Sequence, residues 1–73
     1  MKLTTSEKIN IIMKRQNMNM TELAKKTDQS RQNLSNKMSR DNFSENDLRL
    51  IANALECDLR IQFVDRETGE PII

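Results

Sequence analysis

The chain has 73 residues, of which 36% are apolar and 32% are charged. This length predicts one small domain, and no apolar run approaches the roughly 20 residues that a membrane-spanning helix needs. After Lys2 and Leu3 the sequence turns polar, whereas a signal peptide continues with 7–15 apolar residues. We therefore expect a cytoplasmic protein without a signal peptide.

The residue types favour binding over catalysis. The sequence has no histidine, which is the commonest general base and the commonest metal ligand, and its single thiol is Cys57. We therefore expect a protein that is not an enzyme and that needs no metal, cofactor or small-molecule ligand.

The charges are unevenly distributed along the chain. The net charge is +1 overall, but it is +6 over residues 1–40 and −5 over residues 41–73. This asymmetry favours a polyanionic partner for the first part of the chain. A mixed, solvated surface explains the charges equally well, so charge alone does not decide between the two.

Capping residues and apolar spacing predict four helices, of which two precede residue 27. The first begins after Thr4, with Glu7 completing a capping box. The second begins after Asn19, with Glu22 in the same role, and covers about residues 20–26.

The third predicted helix is unusually polar. It begins after Ser30, a strong N-cap, and only Leu34 and Met38 form an apolar stripe. Ser44 and Asp47 begin a fourth helix that ends near residue 56. The apolar faces of the four helices predict a core of Ile9, Ile12, Met13, Leu23, Ala24, Leu34, Met38, Phe43, Leu48, Ile51, Ala52 and Leu55.

We expect the thiol of Cys57 to be buried. After this residue the spacing of apolar residues changes from about four to two. Alternating apolar residues over 59–64 predict a half-buried strand, and residues 65–70 predict a turn. Because an unpaired strand leaves its amides unsatisfied, it must pair with residues 71–73, with a second subunit, or with both. We divide the chain into residues 1–57 and a C-terminal β element, residues 58–73.

Residues 19–35 carry a family resemblance. Glu-Leu-Ala at 22–24, followed by Ser-Arg-Gln-Asn-Leu-Ser at 30–35, resembles the Cro/repressor (XRE) type of phage and bacterial DNA-binding domain. The resemblance covers about residues 4–57. It implies a mainly α, four- to five-helix, lambda-repressor-like helix-turn-helix domain with a C-terminal β-strand or short hairpin. The sequence departs from the family at four positions. Thr27, Gln29 and Lys37 stand where the family usually has apolar residues, and Asp28 stands where it usually has the glycine of the turn.

The resemblance implies double-stranded DNA as the partner, with the helix over residues 30–39 in the major groove. Base contacts would come from Arg31, Gln32, Ser35 and Asn36. Because helix N-termini and basic or polar side chains attract phosphate, we expect phosphate contacts from Asn19, Ser30, Asn33, Lys37, Arg40 and Asn42. Some members of the family dimerise through a C-terminal strand, which implies a homodimer with an interface at Leu59, Ile61 and Phe63.

Two functions remain open at this level. The first is a sequence-specific DNA-binding transcriptional regulator, most simply a repressor that occupies an operator. The second is a protein-interaction module, such as an antitoxin or adaptor, whose acidic C-terminal half binds a partner protein. The two roles can coexist in one chain.

Overall fold

The computed structural model describes residues 2–73 and contains four helices in that range. They are α1 (Thr5–Arg15), α2 (Met20–Lys26), α3 (Arg31–Arg40) and α4 (Glu45–Ala54). The mainly helical fold and all four predicted helices are confirmed. None of these helices combines the length and the apolar character that a membrane span requires.

Each helix begins at the N-cap that the sequence predicts. The four caps share one interaction, in which the cap side chain accepts the backbone N–H three residues ahead; they are Thr4, Asn19, Ser30 and Ser44. In α1, α2 and α4 the residue at that third position also accepts the cap's own N–H, which completes a capping box. Only α3 lacks this second bond among the four helices.

Each helix also ends in the same way, with one residue in the left-handed region. The residues are Asn17, Asp28, Asp41 and Glu56, with φ between 52° and 57°. In every case the next residue donates its N–H to a carbonyl five positions earlier, as in a Schellman motif. Asp28, at the position where the family usually has glycine, is thus one of four residues that adopt the left-handed conformation glycine favours. The sole glycine, Gly69, lies outside the helices.

The core lies between the inner faces of the four helices. Leu23, Leu34 and Leu55 are fully buried at its centre. The rest of the buried apolar core consists of Ile9, Met13, Ala24, Met38 and Ile51. Four residues predicted for the core are only half-buried at its edge, because the small domain cannot enclose them; they are Ile12, Phe43, Leu48 and Ala52. Cys57 is also half-buried, not buried.

A hydrogen-bonded chain of polar side chains replaces apolar packing at the turn between α2 and α3. Thr27 is buried, and its hydroxyl lies 2.9 Å from the carbonyl oxygen of Leu23, to which it donates. The Gln29 amide donates to that hydroxyl at 2.8 Å, while its own oxygen accepts from the Asn33 amide at 3.0 Å. Thr27 and Gln29, which replace the family's usual apolar residues, thus form hydrogen bonds within the domain. These bonds connect the turn to the first turn of α3.

A second polar contact connects α1 and α3 across 35 positions of the sequence. The Asp41 carboxylate accepts the backbone N–H of Ser6 at 2.8 Å, and the buried Ser6 hydroxyl lies 2.6 Å from the carbonyl oxygen of Met38. The same hydroxyl lies 3.0 Å from the Asp41 carboxylate. This Ser6–Asp41 clasp joins the start of α1 to the end of α3.

The C-terminal segment forms less β-structure than the sequence predicts. Within residues 2–73 there is no β-strand, and the predicted strand over residues 59–64 is replaced by an isolated antiparallel bridge between Val64 and Pro71. The Ile72 N–H donates to the Phe63 carbonyl at 2.7 Å beside this bridge. The Phe63 N–H donates to the carbonyl of Ile73 and not to that of Ile72, so the regular antiparallel register is lost one residue beyond the bridge and no longer ladder forms. The contact that does form runs within the chain.

Candidate nucleic-acid interface

The outer face of α3 presents the four side chains for which the family resemblance implies base contacts. Arg31, Gln32, Ser35 and Asn36 are all exposed and line one open recess on the surface. Leu34 and Met38, on a different side of the same helix, are buried in the core. Because spacings of three and four residues place side chains on adjacent positions of a helix surface, the four form a continuous polar patch.

The charge around the start of α3 differs from that of the other helices. Among the four described helices, only α3 has no acidic residue in its first turn. Acidic side chains there offset the partial positive charge of the helix N-terminus. At α3 that charge is not offset by an acidic side chain, and Arg31 adds to it. No acidic residue occurs anywhere from 29 to 40. The electrostatics of this end of the helix therefore favour an anionic partner.

The residues expected to contact phosphate are not equivalent in the structure. Asn19 and Ser30 serve as N-caps, and the Asn33 amide is bound to Gln29. Arg40 and Asn42 are exposed at the end of α3. The structure therefore places the cation of Arg40 and the amide of Asn42 in solvent, while Asn33 is oriented by the turn that precedes α3.

Lys37 has a partner that the sequence analysis did not predict. Its ammonium lies 2.8 Å from a carboxylate oxygen of Asp47, which connects α3 to the first turn of α4. The hydrogen bond from Lys37, together with the N–H donated by Ser44, holds the pKa of Asp47 below its usual value. Asp47 was identified only as a capping residue, since nothing in the local sequence indicates a contact ten positions away.

Apolar side chains are exposed along the C-terminal segment. Leu59 is half-buried, whereas Ile61 and Phe63 are 51% and 71% exposed. Ile72 and Ile73 are more than half exposed as well. Phe63 and Ile72 are brought together by the backbone contact described above. Of the three predicted dimer residues, Ile61 and Phe63 are therefore exposed on the surface of a single chain, whereas Leu59 is partly covered.

Two capped helices joined by a short turn, with the second helix polar and free of acidic residues, define a helix-turn-helix DNA-binding domain. Residues 8–60, more than half of the chain, match the family model of the Cro/C1-type HTH DNA-binding domain. The chain belongs to this family. Comparisons with curated proteins and with solved structures gave no significant match.

Proposed function

We propose that the protein is a sequence-specific transcriptional regulator, acting as a repressor, that inserts α3 into the major groove of its operator. The observation that carries this proposal is the exposed patch of Arg31, Gln32, Ser35 and Asn36 on a helix without acidic residues. A protein that blocks an operator by occupancy needs no active site, and we propose a binding role in place of an enzymatic one. The proposed place of action is the cytoplasm.

The chemistry of the patch suits base recognition. Arginine can donate two hydrogen bonds to O6 and N7 of guanine, and glutamine or asparagine can pair with N6 and N7 of adenine. Arg31, Gln32 and Asn36 supply these groups, and Ser35 can bond to more than one base. Each well-aligned bidentate pair contributes about 1–3 kcal/mol of discrimination between bases.

Phosphate contacts on both sides of α3 would fix its register in the groove. We assign them to the residues that flank the patch: Asn19, Ser30, Asn33, Lys37, Arg40 and Asn42. Arg40 and Asn42 are exposed beside the end of α3. Asn33 is already held by Gln29, which would limit the reordering of its side chain on binding.

The direct test is selection of bound duplexes from a random DNA pool at about 150 mM salt, a physiological ionic strength. We expect enrichment of one sequence motif. Arg31→Ala and Gln32→Ala should each relax the preference at particular base pairs and leave the fold intact. Arg15→Ala, which removes an exposed arginine at the end of α1, is the matched control and should retain the motif. A folded wild-type protein that enriches no sequence would refute the proposal.

We further propose that the active form is a homodimer joined through the C-terminal segment. The radius of gyration is 13.6 Å, whereas a compact chain of this length has about 11 Å, in line with an exposed segment that extends from the helical body. Pairing between two copies would turn residues 59–64 into a true strand and cover Ile61 and Phe63. Two copies of α3 would then lie about 34 Å apart, one turn of DNA.

Sedimentation of two matched variants tests the dimer. Ile61→Asp places a charge on the proposed interface, and Leu50→Asp places one on an α4 side chain of similar exposure, 45% against 51%. We expect Ile61→Asp to be monomeric and Leu50→Asp to keep the wild-type mass. An Ile61→Asp variant that stays dimeric would exclude this interface.

The same exposed apolar side chains favour one alternative, in which the acidic C-terminal half binds a different protein, as in an antitoxin or adaptor. This alternative predicts a wild-type monomer that forms a stoichiometric complex with that protein. DNA binding by the isolated protein, with a steep dependence on salt, favours the regulator.

A further inference from the structure

The ion pair between Lys37 and Asp47 lies at the edge of the DNA-binding surface. The two side chains are only 26% and 20% exposed, so the pair is better shielded from water than a typical surface ion pair. The second oxygen of the Asp47 carboxylate accepts the N–H of Ser44 at 2.9 Å. The capping box of α4 therefore fixes the carboxylate, and the flexible Lys37 side chain extends to it.

Lys37 lies on a different side of α3 from the base-contacting patch. At about 100° per residue, its direction is roughly 170° from the mean direction of Arg31, Gln32, Ser35 and Asn36. It faces α4 and the loop at residues 41–44. Arg40 follows Lys37 by three residues, a spacing that makes the two side chains neighbours on the helix surface, and Arg40 and Asn42 are exposed proposed phosphate contacts at this end of α3. Lys37 therefore lies beside the proposed phosphate contacts and away from base edges.

We propose that Asp47 competes with a DNA phosphate for Lys37 and thereby sets the strength and salt dependence of DNA binding. Asp47 acts here as a positioning residue, because it holds the ammonium against α4 without itself contacting DNA. The pair itself has no net charge while it is closed, and a phosphate must displace the carboxylate to gain a contact with Lys37. This inference rests on the proposed function, since it concerns the same surface.

Asp47→Asn tests the competition. Asparagine keeps one oxygen that can accept the Ser44 N–H, but it carries no charge to hold Lys37. Each phosphate that a lysine neutralises adds about 0.9 to the slope of log affinity against log salt. We therefore expect Asp47→Asn to steepen this slope by up to about 0.9 and to tighten binding by about three- to eightfold at 0.1 M salt. The selected DNA motif should not change, because Lys37 does not reach the bases.

Glu45→Gln is the matched control. It removes one negative charge from the same turn of α4 and frees Arg49 from a pair that is 60% exposed on both sides. Its effect should stay below about twofold, because exposed charges are screened. Binding by fluorescence anisotropy between 50 and 200 mM salt compares the two variants, and thermal unfolding shows that both are folded.

Lys37→Met, made in the wild type and in the Asp47→Asn variant, completes a double-mutant cycle. A purely structural role for Asp47 would not produce the difference that we expect between the two backgrounds. Lys37→Met should reduce the salt slope by about 0.9 in the Asp47→Asn background and by less in the wild type. Equal effects of Asp47→Asn and Glu45→Gln, or equal effects of Lys37→Met in both backgrounds, would overturn the inference and leave the proposed function intact. Absence of DNA binding by the folded wild type would overturn both.

Discussion

The Ser6–Asp41 clasp makes a quantitative prediction about how α3 is held. Asp41 has two separate roles, since its carboxylate accepts the Ser6 N–H and its backbone is left-handed with φ of 52°. Three substitutions separate the two roles. Asp41→Asn keeps an acceptor, Asp41→Gly keeps only the freedom to be left-handed, and Asp41→Ala keeps neither.

The magnitudes follow from these contacts. A hydrogen bond to a charged group contributes about 1.5–3 kcal/mol, and because Asp41 is exposed we take the lower figure for Asp41→Gly. Asp41→Ala adds about 1 kcal/mol for the left-handed backbone, which gives a loss of about 2.5 kcal/mol. Asp41→Asn should lose less than about 1 kcal/mol. In a domain of this size each kcal/mol lowers the Tm by about 4–8 °C, so Asp41→Gly should lower it by about 6–12 °C.

Thermal unfolding followed by circular dichroism measures the series. Asp28→Gly is the control, because Asp28 has nearly the same φ, 55°, and its side chain makes no hydrogen bond within residues 2–73. We expect the unfolding free energy of Asp28→Gly to stay within about 0.5 kcal/mol of wild type. If Asp41→Gly and Asp28→Gly were equally stable, the clasp would contribute nothing and the reasoning would be wrong.

Three further predictions concern the rest of the fold. Glu56→Gly should raise the unfolding free energy by about 0.5–1 kcal/mol, because Glu56 ends α4 with φ of 57°; urea unfolding measures this. Leu34→Ala should cost about 3 kcal/mol or more by the same assay, because Leu34 is fully buried. The pKa of Asp47 is lower in the folded chain than its unfolded value of about 3.8, so the charged carboxylate stabilises the fold above that pH. This stability is lost as the pH falls through the folded pKa. Lys37→Met should therefore reduce the acid sensitivity of unfolding below about pH 4, and an unchanged acid profile would count against the ion pair.

Local interactions explain why the helices could be predicted from sequence. A cap and its partner lie three residues apart, so that Thr4 with Glu7 and Ser44 with Asp47 are visible in a short window. The same holds for the patch on α3, whose members share one face through helical spacing alone. The start of each helix and the grouping of the base-contact candidates therefore follow from the sequence.

Contacts that hold α3 in place could not be predicted in this way. Ser6 and Asp41 are 35 positions apart, and Lys37 meets Asp47 only because α4 turns back beside α3. Neither pair has a periodic signal. The prediction of a strand over residues 59–64 failed for another reason. Alternation of apolar residues indicates which face of a strand is buried, but not which chain supplies the neighbouring strand. The single bridge between Val64 and Pro71 pairs only one residue of the segment within the chain, so the rest of the segment can still pair with a second subunit.

α3 has one set of side chains that holds it in the fold and another that is exposed for the proposed base contacts. Leu34 and Met38 fix the helix to the core, and polar contacts at Asn33, Lys37 and the end of the helix fix its orientation. The exposed Arg31 and Gln32 side chains make no hydrogen bond or ion pair within residues 2–73. Substitutions there should alter the unfolding free energy by less than about 0.5 kcal/mol. Under the proposed function, recognition and stability therefore depend on different side chains of one helix, and we expect that the DNA sequence bound can change without loss of the fold.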